Sequence, residues 1–311
     1  MRIDFEVPAT SANLGSGFDA VGIALELRVR ATLRCHDAPF GVRFLPGPQM
    51  PTHAGFEQEI LRGMRALLGD GAPLPHGELV VENPLPLGKG LGSSAAAAVL
   101  GLLVADAAEG LEMPADRLVE LACALEGHPD NSTPALLGGI IVAAQRGSAA
   151  PSFMRFDPPH GVRAIVAVPQ LELATSQARA VLPQAYAKED TVYNVQRAAL
   201  LGAALASGDL RHLRVAMQDR LHQPYRAAFV PGLEEALRLE APGLLGVALS
   251  GAGPSVLALV EGNAMEIAAA MRECFTRHRI ACETWVLGLA RDGALVHDRA
   301  TDERRLVGGL P

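Results

Sequence analysis

The sequence is poor in cysteine and has no excess of positive charge. Its four cysteines show no CxxC spacing in a chain of 311 residues, so we expect reduced thiols in a cytoplasmic protein rather than a disulfide framework. The formal net charge is −7, and lysine and arginine form no dense run apart from Arg304 and Arg305. Nucleic-acid binding needs a basic face, so this composition argues against DNA or RNA as a partner.

Long hydrophobic runs are also absent. The longest apolar stretch, residues 95–105, is much shorter than the roughly 20 residues that cross a bilayer, and it predicts a buried helix. The first residues, MRIDFEVPATSAN, carry charges at positions 2, 4 and 6 and lack the apolar segment of a signal peptide. We therefore expect a cytoplasmic protein with no membrane partner, and the chain is compatible with a homodimer.

The chain does contain enough apolar residues for two packed domains. Hydrophobic residues make up 49% of it and charged residues 20%, as in ordinary globular proteins. Patterns typical of strands and of helices are mixed along the chain, which predicts an α+β protein with a cleft between its domains. The composition changes in the Pro- and Gly-rich span 147–161. We place the boundary there, which gives domains of residues 1–158 and 159–311.

Residues 86–98, PLGKGLGSSAAAA, predict a phosphate-binding loop at the start of a helix. The alternating glycines allow positive φ and a close approach of the backbone to a ligand. The helix start offers unpaired N–H groups and a positive dipole, and Lys89 adds a full charge. The loop is not a Walker loop, because Gly90 follows Lys89, and it lacks the GxGxxG spacing. Without a ligand, the same residues fit a flexible helix cap.

Two further glycine-containing motifs accompany this loop. PATSANLGSGFD covers residues 8–19, and LSGAGPSV covers residues 249–256. Each alone is typical of an ordinary turn. Together, in this order, the three motifs resemble those of the GHMP small-molecule kinases, and the likeness is closest to the homoserine kinases of that family. Ser16 stands where those kinases usually have proline, so we expect a less rigid turn.

This resemblance implies a fold and a nucleotide. The fold would combine an N-terminal domain like the second domain of ribosomal protein S5 with a ferredoxin-like C-terminal domain. ATP would lie in the cleft with its phosphates over the loop, and the third motif would pack against the loop. The residues implied to bind ATP are Pro86, Leu87, Gly88, Lys89, Gly90, Leu91, Gly92, Ser93, Ser94, Ser250, Gly251 and Gly253.

The resemblance also implies a metal and an acceptor site. Mg²⁺ prefers oxygen ligands, and the likeness points to Ser94 and Glu120. The acceptor would be L-homoserine, a small molecule that carries an ammonium and a carboxylate. The residues implied to bind it are Asn13, Asp19, His128, Asp130, Asn131, Thr175, Arg179 and Arg226. Considered singly, Glu120 also fits a solvated helix face, HPDN an Asx turn, and each arginine a surface charge.

The residues implied to act in catalysis are Asn131, Arg179 and Lys89. Asn131 stands where several GHMP kinases have a catalytic aspartate, and the first motif contains no lysine that would support one. Because an amide cannot act as a base, we expect transfer of the γ-phosphate to depend on positioning and on electrostatic stabilisation.

The implied activity is phosphorylation of L-homoserine to O-phospho-L-homoserine in threonine biosynthesis. One alternative is a GHMP kinase for another alcohol, such as an isoprenoid or a sugar. Arg179, Arg226 and Asp130 argue against it, because they suit an acceptor with both charges. A second alternative is a nucleotide sensor without turnover, but the residues expected to bind phosphate and metal are all present.

Overall fold

The computed structural model describes residues 2–47, 53–145 and 150–307. Its strands are β1 (Arg2–Ala12), β2 (Val21–Arg34), β3 (Gly41–Phe44), β4 (Glu78–Glu82), β5 (Ile140–Ala144), β6 (Ser152–Phe156), β7 (Val162–Pro169), β8 (Leu244–Leu249), β9 (Val256–Glu261), β10 (Cys282–Gly288), β11 (Leu295–Asp298) and β12 (Glu303–Leu306). Its helices are α1 (His53–Leu68), α2 (Ser93–Glu109), α3 (Ala115–Glu126), α4 (Pro129–Leu137), α5 (Thr175–Ala180), α6 (Lys188–Ser207), α7 (Leu213–Ala216), α8 (Gln223–Arg226), α9 (Leu233–Leu237) and α10 (Ala264–Thr276). The mixture confirms the predicted α+β class.

The first sheet grows around the long hairpin of β1 and β2. Its order is β12-β11-β1-β2-β4-β3, with β5 paired to the start of β2 and β6 paired to β5. The alternation in the sequence predicts a first strand over residues 3–7 only, yet β1 continues to Ala12. The pairing of β1 with β2 shifts register between Pro8 and Ala9. Such an irregularity lets a strand continue past a proline, which cannot donate a ladder hydrogen bond.

The second sheet has the order β10-β7-β9-β8, with antiparallel pairing throughout. In chain order these are its fourth, first, third and second strands, which is the ferredoxin-like arrangement that the motifs imply. Helix α10 packs on β7 and β10. A separate apolar core lies under this sheet and includes Ile165, Leu249 and Phe275.

The chain passes from the first sheet to the second near the predicted domain boundary. Residue 158 lies between β6 and β7, while residues 147–149 of the predicted boundary span lie outside the described residues. Strands β11 and β12 belong by sequence to the predicted C-terminal domain, but β11 pairs with β1. The last described strands therefore extend the first sheet.

Helix α2 is the buried helix predicted from the apolar run. Nearly every residue from its first turn to Asp106 is buried, as expected of a helix that is apolar on all sides. Two glycines bring α1 and α2 into backbone contact: an ideal Cβ would lie 2.0 Å from Ile60 O if added to Gly101, and 2.1 Å from Ala98 O if added to Gly63. No helix in the described ranges is long and apolar enough to cross a membrane.

Candidate active site

Most of the residues predicted to bind ATP and an acceptor line one cleft. It is lined by the first motif, the phosphate loop and the start of α4 on one side, and by α5, α8 and the third motif on the other. The predicted residues that line it are Asn13, Asp19, Leu87, Gly88, Lys89, Gly90, Gly92, Ser93, Ser94, His128, Asp130, Asn131, Thr175, Arg179, Arg226 and Gly251. The described lining does not include five predicted residues, which are Pro86, Leu91, Glu120, Ser250 and Gly253.

The phosphate loop has the backbone that its alternating glycines predict. Gly88, Gly90 and Gly92 have φ angles of 65°, 75° and 66°, in the left-handed region that favours glycine. Gly92 caps the start of α2, and it provides no side-chain hydrogen bond. Ser93 Oγ is buried and has no hydrogen-bond partner among the described residues. The start of α2 therefore offers unpaired donors and a positive dipole, which suit the oxygens of a phosphate group.

The third motif packs against the phosphate loop, as predicted. Ser250 Oγ donates to Gly90 O at 2.5 Å, and a Cβ on Gly90 would lie only 2.1 Å from Ser250 O. Gly253 N donates to Ser250 O within the motif at 2.8 Å. Pro86 and Leu91 are buried. Ser250 thus holds the loop through Gly90, and the predicted binding of ATP by these four residues stays a prediction.

Lys89 joins the phosphate loop to the second sheet. Its Nζ donates to Pro169 O at 3.2 Å and also to Leu171 O. Burial lowers the pKa of Lys89, against the opposing charge of Glu172. Pro169 is the last residue of β7, so the ammonium holds the phosphate loop against the end of that strand. These two bonds use two of the three N–H donors of the ammonium, so one remains for a phosphate bound over the loop.

Two acidic side chains lie beside Ser94. Ser94 Oγ donates to Glu126 Oε1 at 3.0 Å, and Glu59 on α1 lines the same part of the cleft. Glu59 Oε2 is buried and accepts no hydrogen bond in the described part of the chain, although Arg62 Nε lies 3.1 Å from it. Burial raises the pKa of Glu59; the charge of Glu126 adds to the rise, and Arg62 opposes it.

Glu120 does not lie beside Ser94. It pairs with Arg117 Nη1 at 2.5 Å on α3, where both side chains are partly exposed. Val119 faces the core, and Glu126 lies seven residues after it, so the helical period puts Glu126 on the inner face of α3. Glu126, and not Glu120, is therefore the carboxylate next to Ser94, whereas the predicted role of Glu120 as a metal ligand stays a prediction. The helical spacing of Glu126 from Val119 was the signal in the sequence that Glu126 lies on the inner face of α3.

The acceptor side of the cleft is built from paired charges. Arg179 donates through Nη1 and Nη2 to the two carboxylate oxygens of Asp19, at 3.1 and 2.9 Å. His128 Nδ1 lies 2.5 Å from Asp130 Oδ1. Burial would lower the pKa of His128, but the hydrogen bond to Asp130 and the charge of that carboxylate raise it overall. The ligand atoms of Asp19, His128 and Asp130 lie within 4.8 Å of one another, so two carboxylates face one small volume.

Arg226 is almost completely buried at the end of α8, with 1% of its surface exposed. Its Nε donates to Ala178 O and its Nη1 to Gly251 O, each at 3.1 Å. Burial lowers the pKa of Arg226, and the positive charge of Arg179 lowers it further. Both arginines thus line the cleft and the charge of one acts on the other, while their binding of a carboxylate stays a prediction.

Sequence reasoning missed His222, which holds Arg226. His222 Nδ1 lies 3.1 Å from Arg226 Nη1 and accepts from it, because a guanidinium only donates. His222 Nε2 is then protonated and donates to Gly15 O at 2.9 Å. Burial lowers the pKa of His222, despite the opposing charge of Asp219. The available signal was the spacing of four residues between His222 and Arg226, which places two side chains together on a helix.

The first motif is held by side-chain hydrogen bonds. Asn13 Nδ2 donates to Gly251 O at 2.8 Å, and Asn13 Oδ1 accepts from Asp19 N at 2.9 Å. Asn13 therefore links the first motif to the third and also fixes the backbone at Asp19. Ser16 Oγ donates to Ala216 O at 2.6 Å. This bond ties the turn to α7 and compensates for the rigidity that a proline would supply.

Comparison with known proteins agrees with this geometry. Residues 58–139 match the family described as GHMP kinases N terminal domain, and residues 201–277 match GHMP kinases C terminal. A protein of Solibacter usitatus named homoserine kinase is 42% identical over 280 residues, which cover 90% of this chain and 92% of that protein. The chain belongs to the homoserine kinase family. Membership in this branch of the GHMP kinases makes it a phosphotransferase that uses ATP.

Other members of the homoserine kinase family are similar to this chain in sequence and in structure. One from Thermus thermophilus is 43% identical over 265 residues, covering 83% of this chain and 86% of that protein. The solved structure of homoserine kinase from Cytophaga hutchinsonii matches with a TM-score of 0.81 at 28% identity, over 95% of this chain and 97% of that one. The fold implied by the three motifs is thereby confirmed.

Proposed function

We propose that the protein transfers the γ-phosphate of ATP to the side-chain hydroxyl of L-homoserine. The product is O-phospho-L-homoserine, and the reaction serves threonine biosynthesis in the cytoplasm. Relatives at 42% and 43% identity carry the name homoserine kinase. The observation that carries the proposal is the set of paired charges, Arg179 with Asp19 and His128 with Asp130, in the same cleft as the phosphate loop.

These charges suit a zwitterionic acceptor. Arg179 and Arg226 offer guanidinium groups for a carboxylate, and Asp19 and Asp130 offer carboxylates for an ammonium. Without substrate the charged groups pair mainly with one another. An amino acid can replace these partners without leaving a buried charge unpaired, which would be costly. A sugar or an isoprenoid alcohol has no ammonium group for the two aspartates.

We assign Mg²⁺ to Ser94 and Glu126. A hydroxyl and a carboxylate are oxygen ligands of the kind that this ion prefers alongside phosphate oxygens. The carboxylate of Glu59, which is paired with Arg62 at 3.1 Å, is a further oxygen ligand next to them. When bound, Mg²⁺ would neutralise charge on the β- and γ-phosphate oxygens.

In the mechanism that we propose, the protein positions the reactants and does not supply a base. Residues 88–92 and the start of α2 hold the phosphates, while Arg179 and Asp130 orient the acceptor. A bond forms between the acceptor oxygen and the γ-phosphorus as the bond from that phosphorus to ADP breaks, and the hydroxyl proton passes to a phosphate oxygen or to solvent. Lys89 adds positive charge near the transferred group.

An assay of ADP release with Mg²⁺ and ATP tests the proposal. The acceptors are L-homoserine, mevalonate, galactose and shikimate, and we expect turnover with homoserine alone. Arg179→Met should raise the KM for homoserine and leave the KM for ATP unchanged, whereas the same substitution at the exposed Arg163 should change neither. Turnover of another acceptor without turnover of homoserine would contradict the proposal.

A further inference from the structure

Asn131 lies where the phosphate loop meets the acceptor side of the cleft, and a residue outside the cleft holds its amide. Thr10 Oγ1 donates to Asn131 Oδ1 at 2.8 Å across 121 positions of sequence. Thr10 is completely buried in β1, and its backbone N donates to Leu91 O at 3.2 Å. The hydroxyl therefore sits on a rigid strand that is itself bonded to the phosphate loop.

A second neighbour decides which way the amide of Asn131 points. Asn131 Nδ2 lies 3.5 Å from Asp130 Oδ1, which is also the atom next to His128 Nδ1. Turning the amide over would place its carbonyl oxygen against that carboxylate oxygen, and two acceptors would then face each other. The described orientation avoids this repulsion and gives the hydroxyl of Thr10 an acceptor. Thr10 and Asp130 thus select the same orientation.

Gly92 makes room for this arrangement. An ideal Cβ on Gly92 would lie 1.9 Å from Thr10 Oγ1 and 3.2 Å from Asn131 Oδ1. The last glycine of the phosphate loop therefore packs directly on the hydrogen-bonded pair, at the boundary between the phosphate-binding and the acceptor-binding halves of the cleft. Any side chain there would push the pair and the loop apart.

We propose that Thr10 is a positioning residue for phosphoryl transfer, because its hydrogen bond to Asn131 Oδ1 keeps Asn131 Nδ2 available as a donor to the acceptor hydroxyl. The inference rests on the proposed function, in which that hydroxyl belongs to homoserine. Thr10 uses a lone pair of Oδ1 and fixes the amide, and one of the two N–H donors of Nδ2 remains for the substrate beside the long contact with Asp130. A donor to the hydroxyl oxygen orients that oxygen, leaves a lone pair for the γ-phosphorus, and directs the hydroxyl proton away from Asn131. Thr10 itself does not line the cleft.

Two substitutions separate the hydroxyl of Thr10 from its shape. Thr10→Val removes the hydroxyl and keeps the branched side chain, whereas Thr10→Ser keeps the hydroxyl. We expect Thr10→Val to lower kcat with homoserine about tenfold, equivalent to a hydrogen bond of about 1.4 kcal/mol, with an unchanged KM for ATP. Thr10→Ser should restore most of the activity. A Thr10→Val enzyme with the kcat of the unsubstituted protein would overturn the inference.

A double-mutant cycle tests whether Thr10 acts through Asn131. In an Asn131→Ala background, Thr10→Val should cause no further loss of kcat. A further loss of about tenfold there would overturn the inference, because Thr10 would then act through other contacts. Thermal unfolding of each variant should show that it is folded at the assay temperature.

Equilibrium binding gives a readout that does not depend on residual activity. L-2-aminobutyrate is homoserine without its hydroxyl, so it cannot use the donor on Asn131. We expect Thr10→Val to weaken binding of homoserine several-fold and to leave binding of L-2-aminobutyrate unchanged. Equal weakening of both ligands, or of neither, would overturn the inference. Failure of the unsubstituted protein to phosphorylate homoserine is a different result and would contradict the proposed function instead.

Discussion

Replacing Gly101 with alanine tests how tightly the backbone contact between α1 and α2 is constrained. The added Cβ would lie 2.0 Å from Ile60 O and 3.0 Å from Met64 N. Real Cβ contacts essentially never fall below 3.0 Å, so α1 would have to move away from α2 by about 1 Å. The obstacle is a carbonyl oxygen of a helix backbone, which cannot rotate aside as a flexible side chain can.

The expected cost follows from two opposing contributions. Overpacking a well-packed core costs about 1–3 kcal/mol, whereas alanine is better than glycine inside a helix by about 0.5–1 kcal/mol. Because the contact is with backbone, we take the upper part of the first range and expect a net loss of about 2 kcal/mol. Gly202 on α6 is the matched control, because nothing lies within 4 Å of its added Cβ. Gly202→Ala should therefore stabilise the protein by about 0.5–1 kcal/mol.

Urea unfolding followed by circular dichroism measures both changes. The two variants should also differ in activity, because Phe56 and Glu59 on α1 line the cleft. We expect Gly101→Ala to lower turnover and Gly202→Ala to leave it unchanged. The reasoning would be refuted by a Gly101→Ala protein as stable as the unsubstituted one, measured beside a Gly202→Ala protein that shows its expected gain.

Three further predictions concern the cleft. Glu126→Gln should raise the Mg²⁺ concentration for half-maximal turnover about tenfold or more, whereas Glu120→Gln should not change it; equal effects would contradict the assignment. Lys89 is one of two lysines in the chain, and burial lowers its pKa, so the pH midpoint of its acylation, measured by mass spectrometry, should lie below the ordinary value of about 10.4. ATP should protect Lys89 but not the exposed Lys188, and protection of both would point to an indirect effect. Burial lowers the pKa of folded His222, so below about pH 6.5 the unfolded chain binds a proton that the folded chain does not, and stability falls as the pH falls. His222→Gln should reduce that fall in urea-unfolding series, and an unchanged slope with pH would argue against this role.

The parts of the site that the sequence predicted best have local signals. The phosphate loop needs positive φ at Gly88, Gly90 and Gly92, and that requirement can be read from the alternating glycines. The proximity of Glu126 to Ser94 was not expected, because packing decides which face of α3 meets the cleft, and a family likeness at one position does not include that packing. The contact of Thr10 with Asn131 joins residues 121 positions apart, and nothing near either residue indicates it.

The fold shows the same division between local and distant signals. The buried helix predicted from the apolar residues 95–105 lies within α2, because an apolar run is a local signal. The pairing of β11 with β1 joins Phe5 to Val296, and neither strand has a feature that specifies so distant a partner. Membership of the first sheet therefore could not be assigned from the alternation of residues 295–298.

The return of β11 and β12 to the first sheet constrains how the chain can be made and divided. During synthesis, β1 emerges long before β11, so the edge of β1 that pairs with β11 stays open until β11 follows. The second sheet, by contrast, has all its strands once residue 288 is made. A cut near residue 158 would thus give two dependent fragments, one with an open strand edge and the other with two strands that have no sheet to join. Two separately expressed halves could reassemble only if β1 of the first fragment paired with β11 of the second.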